Sequence, residues 1–164
     1  MPIDTLEKLF VEELKDLYSA EHQITKAIPK LVKASTSPQL KEALENHLSE
    51  TENQIVRLEK IFEILGKGPR GKVCNGMKGV LEEGAEMIEE TADGEVRDTG
   101  LISAAQRVEH YEMAGYGSVK AFAEILGETE IVKLIDQTLQ EEKAADKKLT
   151  ELSRTINELA SQEK

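Results

Sequence analysis

The sequence is short of the residues that staple, break or stiffen a chain. It holds one cysteine, Cys74, so no internal disulfide can form, and a reducing, cytoplasmic setting is the simplest expectation. Four prolines in 164 residues leave few enforced helix breaks, and aromatics make up only 4%. No run approaches the roughly 20 apolar residues that a membrane span requires, which argues against a membrane protein. The N-terminus, MPIDTLEKLF, lacks a basic segment followed by an apolar one, so no signal peptide is expected. Cations are outnumbered as well: 32 acidic side chains stand against 21 basic ones, a net charge of −11. A phosphate backbone would be repelled, which excludes nucleic acid as the expected partner. Good solubility is the ordinary reason for such acidity, and a cation-handling role is compatible with it.

What remains is a mixture dominated by Leu, Ile, Ala, Glu and Lys, which lose little freedom in a helix. The length suits one domain over residues 1–164. A first helix is expected from Asp4, with Glu7 completing a capping box, on a stripe through Leu6, Phe10, Leu14, Leu17, Ile24, Ile28 and Leu31. Ser37-Pro38 reads as a cap and first turn for a second helix, on Leu40, Leu44, Leu48, Ile55, Leu58, Phe62 and Leu65, with Gly66 as its stop. A link of about four residues makes these two an antiparallel hairpin.

The pattern then breaks into GKGPRGKVCNG before a short helical segment, roughly Met77 to Thr91. A third long helix is expected from Val96 to Leu126, on Leu101, Ala105, Val108, Tyr116, Val119 and Phe122. Gly127 closes it, and the fourth follows at once on Ile131, Ile135, Thr138, Ala145, Leu149, Leu152, Ile156 and Leu159. Two hairpins joined by about 30 residues give an all-α four-helix bundle with one long crossover carrying a short extra helix.

The anomaly is charge inside the apolar stripes. Glu21 sits between Leu17 and Ile24, and Glu142 between Thr138 and Ala145. Glu109 and Glu112 fall on the seam through Ile102, Ala105 and Tyr116, while His47 occupies the second helix's seam with Glu50 one turn along. Each long helix thus turns at least one carboxylate inward near its middle. Burying one unpaired carboxylate is costly, and several together repel strongly. Two divalent ions bridged by carboxylates would neutralise them, and oxygen-rich ligands suit iron first and manganese second. Glu21-His22 recurs as Glu109-His110, and Glu50 has Glu142 as its counterpart, so the hairpins look like two copies of one ligand-bearing unit.

These residues carry a resemblance. The segments LYSAEHQITKAIPKL, HLSETENQIVRLEKIF, EVRDTGLISAAQRVEHYEMAGYG and EEKAADKKL resemble the YciF/YciE-like bacterial stress-protein family, a branch of the ferritin-like superfamily. VEHYE and HLSET are the most specific of them, and the likeness covers most of residues 4–152. It implies a di-metal helical bundle linked to stress responses. The superfamily pattern is one Glu from each of two helices and a Glu-x-x-His from each of the others. This chain departs from it: Asn53 follows Glu50 at i+3, with His47 three residues before, and Ala145 follows Glu142, with Asp146 at i+4. Glu109-x-x-Glu112 resembles the extra carboxylate of rubrerythrin-like sites. The expected ligands are Glu21, Glu50, Glu109 and Glu142, then His47, Glu112 and Asp146. Glu50 and Glu142 are expected to bridge the ions, Glu21 and Glu109 to end the set.

His22 and His110 lie about 100° around the helix from their neighbouring glutamates, which suits support or surface roles. Tyr18 and Tyr116, each one turn from a carboxylate, suit core packing with a satisfied hydroxyl or a hydrogen bond to a ligand. Cys74 in its Gly- and Lys-containing loop reads as an incidental residue, the alternative being an exposed redox-active thiol. The expected function is a di-metal protein that oxidises Fe(II) or consumes peroxide or dioxygen. The alternatives are a non-enzymatic metal-binding or structural stress protein that acts through a protein partner, and a storage shell. The small size and apolar helix faces permit a homodimer.

Overall fold

In a computed structural model that describes residues 2–163, the chain folds into five helices: α1 (Leu6–Ala34), α2 (Pro38–Leu65), α3 (Asn75–Glu90), α4 (Glu95–Ile125) and α5 (Thr129–Ala160). The expected bundle, crossover and extra helix are all present. Among the described residues, no helix is long and apolar enough to cross a membrane.

Local chemistry sets most of the boundaries. Thr5, not Asp4, caps α1: its hydroxyl oxygen accepts from the Lys8 amide at 3.2 Å, while Asp4 pairs with the Lys8 ammonium at 2.6 Å. The expected capping box therefore gives way to a threonine one residue along. Ser37 caps α2 by accepting from the Leu40 amide at 3.3 Å, with Pro38 at the first helical position. Gly66 ends α2 with φ 61°, the left-handed conformation in which a β-carbon would be strained.

Four long helices form the bundle. α1 packs on α2 and α4, and α5 packs on α4 and α2, which leaves α1–α5 and α2–α4 as the diagonals. The crossover carries α3 along the outside, against α1 and α4. Gly115 on α4 makes room for the Leu17 side chain of α1: a β-carbon there would lie 2.8 Å from Leu17 Cδ2, so the leucine would have to shift. Where the crossover ends, Asp98 in the first turn of α4 reaches back to the α1–α2 turn. Its buried carboxylate accepts from the amides of Thr36 at 2.8 Å and Ser37 at 2.7 Å.

Cys74 is not an exposed loop thiol. It is fully buried, and its sulfur accepts from the Met77 amide as the cap of α3. The thiol donates to Asp16 Oδ2 at 3.0 Å and lies 3.0 Å from the Tyr111 hydroxyl. Its backbone is held by Ser19 and Gln23 of α1, so the residue docks the crossover onto the bundle.

The core has two apolar parts. One contains Ile24, Ile28, Leu40, Leu44, Leu101 and Leu149, towards the α1–α2 turn. The other contains Phe10, Leu14, Leu58, Phe62, Val119 and Ile135, towards the opposite end. Each fully buried aliphatic side chain contributes about 1.5–3 kcal/mol, so these two clusters carry the stability of the fold. Between them lies a polar layer.

Candidate metal centre

The layer is where the four stripes lose their leucines together. α1 supplies Glu21 between Leu17 and Ile24; α4 supplies Glu109 and Glu112 between Val108 and Tyr116; α5 supplies Glu142; α2 supplies His47, Thr51 and Gln54. Glu21, Glu112 and Glu142 are 0% exposed, Glu109 2% and His47 6%. Helix periodicity brings them there: each interrupts an apolar stripe that has members three or four places away in the core.

One ligand atom from each of His47, Glu109, Glu112 and Glu142 can be chosen so that all four lie within 4.8 Å of one another. His47 Nε2 is 2.9 Å from Glu109 Oε1 but out of line for a hydrogen bond, and both imidazole nitrogens lack an aligned partner. Both oxygens of Glu112, both of Glu142, and one each of Glu21 and Glu109 are likewise buried without a hydrogen-bond partner. Buried polar atoms are partnered almost everywhere in folded proteins, so this concentration of unpartnered oxygens and imidazole nitrogens makes a set of ligand atoms that could hold a cation.

The electrostatics agree. Burial raises the Glu21 carboxyl to about 7, against the opposing hydrogen bond from Tyr116 and the charge of His47. Burial, reinforced by the charges of Glu21, Glu142 and Glu109, holds Glu112 well above the carboxylate range. Glu142 is raised by burial and by its contact with Glu109. Burial would also raise Glu109, but the charge of His47, its contacts with Glu142 and His47, and the charge of His110 together outweigh it and leave this one carboxyl low. His47 in turn is depressed by burial and more than restored by Glu109, Glu50 and Glu142, so its imidazole is held well above its ordinary range. Without a cation the layer therefore keeps protons, a Glu109–His47 ion pair among neutral carboxyls.

Of the expected ligands, the structure brings together His47, Glu109, Glu112 and Glu142, with Glu21 facing Glu112 within carboxyl-to-carboxyl reach. It does not bring Glu50 or Asp146 into the cluster. Glu50 lies about 60° around α2 from His47, its side chain 41% exposed and Oε2 3.6 Å from His47 Nδ1. Asp146 lies a turn beyond Glu142, about 40° around, and faces the outer edge of α4. There its Oδ1 is 3.2 Å from His110 Nε2 and accepts from Gln106 at 3.3 Å. Tyr116 reaches one of the expected ligands, donating to Glu21 Oε1 at 2.5 Å, whereas Tyr18 donates to Glu59 at 3.0 Å.

Sequence reasoning passed over the flank of the layer. Arg57 grips Glu141 with two nitrogens, at 2.7 and 2.6 Å, and donates to Thr138 at 3.1 Å, while Gln54 donates to Glu141 at 3.1 Å. This network seals the layer between α2 and α5 on the side of the Phe62 cluster. The signal was present in the 4-3-4 spacing of His47, Thr51, Gln54 and Leu58, a polar continuation of the α2 stripe.

Comparison with known proteins matches residues 5–161 to a family described as a domain of unknown function, DUF892. The chain belongs to the DUF892 family. This DUF892 member is 46% identical over 155 residues to protein YciF of Escherichia coli K12, covering 93% of each chain. Its fold superposes on the crystal structure of the E. coli stress protein YciF with a TM-score of 0.92, at 43% identity over 95% of this chain and 99% of that one. It superposes on YcfI of Rhodopseudomonas palustris, described as a structural protein, with a TM-score of 0.88, at 44% identity over 90% and 94% of the two chains. A Xanthomonas campestris protein at 21% identity shares the fold, with a TM-score of 0.75 over 93% of each chain. The expected resemblance to the YciF-like branch of the ferritin-like bundles is thereby established.

Proposed function

We propose that this DUF892 member is a di-metal carboxylate protein of the bacterial stress response, with iron the preferred metal and manganese the second. The observation that carries this reading is the buried His47–Glu109–Glu112–Glu142 cluster, whose donor atoms lie within 4.8 Å of one another and mostly lack any other partner. Ligand atoms on one ion at about 2.1 Å can be no more than about 4.2 Å apart, so only small rotations would close the set on a cation. Glu21, Glu109, Glu112 and Glu142 together offer four negative charges, matching two divalent ions, and the single neutral imidazole suits a hard, oxygen-preferring metal.

In this reading His47 and the four carboxylates hold the ions, and Tyr116 orients Glu21 through its hydroxyl. Binding displaces the protons that Glu21, Glu112, Glu142 and the His47 imidazole hold in the metal-free protein, so uptake releases protons to solvent. The apolar clusters on either side close the layer along the bundle axis. Bound iron would supply electrons to peroxide or dioxygen while the protein's share is to hold and orient.

Metal analysis of protein purified without chelators, with thermal melts in the presence and absence of Fe(II), tests the centre. Two metals per chain and a raised melting temperature are expected, followed by consumption of peroxide or dioxygen with added Fe(II). No metal and no shift would overturn it. A second reading, a metal-binding or structural protein without turnover that acts through a partner, is favoured by the lone imidazole of the cluster and by the description of the Rhodopseudomonas relative. Two bound metals with no oxidant consumption would select it.

A further inference from the structure

Above and below, apolar clusters close the polar layer, and the Arg57–Glu141 network seals part of its α2–α5 flank. Further along the same flank the helices part. An opening of about 330 Å³ between α2 and α5 runs from solvent to His47 and Glu109. It exists because Ala43 and Ala145 line it: Ala145 stands three residues after Glu142 and has only a methyl group to fill the gap.

The lining changes character along its depth. Glu42 and Glu50 stand towards solvent, and Lys148 is the one lysine or arginine of the lining. Glu50 spans the boundary, half-buried, with Oε2 3.6 Å from Nδ1 of His47. At the inner end His47 and Glu109 present a buried imidazole and a buried carboxylate oxygen with no aligned partner.

We propose that this opening is the passage by which a divalent cation reaches the centre. Glu42 and Glu50 capture the ion at the mouth, and Glu50 passes it to His47 and Glu109. The inference rests on the metal-centre reading above. A hydrated divalent cation gives up its waters reluctantly, and carboxylate oxygens met in succession replace them one at a time. Carboxylates at a mouth with low-dielectric walls also concentrate cations there and raise the association rate.

The test is stopped-flow binding of Co(II), followed by its visible absorption, to chelator-stripped full-length protein under argon. Glu42→Gln with Glu50→Gln is expected to slow association about tenfold and to flatten its dependence on salt. Lys148→Gln is expected to quicken it. Ala145→Phe, which narrows the opening, is expected to slow association and dissociation by the same factor and so leave Kd unchanged. That kinetic pairing marks a passage, since removal of a resident ligand would raise Kd through faster dissociation. Unchanged association in the double Gln variant and in Lys148→Gln, with Co(II) still bound by the unaltered protein, overturns the passage alone. Failure of the unaltered protein to bind Co(II) overturns the centre as well.

Discussion

Tyr116 of α4 donates its hydroxyl hydrogen to Oε1 of Glu21 on α1 at 2.5 Å, the one aligned hydrogen bond found for that fully buried carboxyl. Tyr116→Phe keeps the ring in the core but leaves Glu21 with no partner. Loss of about 1–3 kcal/mol is expected in urea unfolding of the metal-free protein. Because the Tyr116 hydroxyl lowers the Glu21 pKa, its removal should also push that group above its present value of about 7, which carboxyl-labelled NMR titration would read.

The metal-free protein should become less stable as pH rises from about 4.5 to about 7. Below the ordinary value of 4.5, Glu21 is protonated in the folded and the unfolded chain alike; between 4.5 and about 7 only the folded chain keeps the proton. The folded state then binds more protons, so stability falls with rising pH through that window. Glu112 and Glu142, raised by burial, extend the fall, and so does His47, whose stabilisation is lost as pH climbs past its raised value. Glu109, held low by His47, works in the opposite direction. Urea midpoints at pH 5 and pH 7.5 would show the trend, and saturating Mn(II) should reverse it, because metal replaces the protons. A flat profile without metal would contradict protonated carboxyls in the layer.

Glu112→Gln should separate stability from binding. Glu112 is held well above the carboxylate range and keeps its proton in the metal-free layer, so a neutral amide there should leave metal-free stability within about 1 kcal/mol of the unaltered protein. Its melting temperature should no longer respond to Fe(II) or Mn(II). Asp146→Asn, on the outer edge of α4, should respond as the unaltered protein does. If the two variants exchange these behaviours, the ligand set read from the cluster is wrong.

Asp98→Ala removes the acceptor of two backbone amides at the α1–α2 turn. Two part-buried N–H groups lose a charged partner, and a cost of about 1–3 kcal/mol is expected. Metal stoichiometry should be unchanged, because Asp98 lies at the end of the bundle. Thermal unfolding with metal analysis on the same sample would check both halves.

Cys74 should resist a thiol reagent in the folded protein and react on unfolding. Burial holds its thiol above the ordinary range, and Asp16 and Tyr111 occupy its polar contacts. Rapid labelling under native conditions would show that the crossover opens at the start of α3.

Much of the candidate centre was legible because helices translate spacing into direction. Glu21, Glu109, Glu112, Glu142 and His47 interrupt apolar stripes, and a stripe position three or four residues from a leucine has little choice of face. The same rule was less telling for Glu50 and Asp146. Each is near the seam in angle, and a rotation of about 40–60° is enough to carry a side chain from the core to its rim. Which way such borderline residues turn depends on the neighbouring helix: α5 and its alanines leave Glu50 at a mouth, and α4 draws Asp146 to His110 and Gln106.

The sequence by itself determined the five helices, the short links that make hairpins, and the charged interruption of each stripe, since all three follow from local periodicity and turn chemistry. Tertiary structure decided which interruptions meet, that Tyr116 rather than Tyr18 reaches a carboxylate, that Asp98 ties the α1–α2 turn, and that Cys74 is buried. Those outcomes depend on how far one helix slides and rotates against another, and packing of residues distant in the chain, such as Gly115 against Leu17, fixes that.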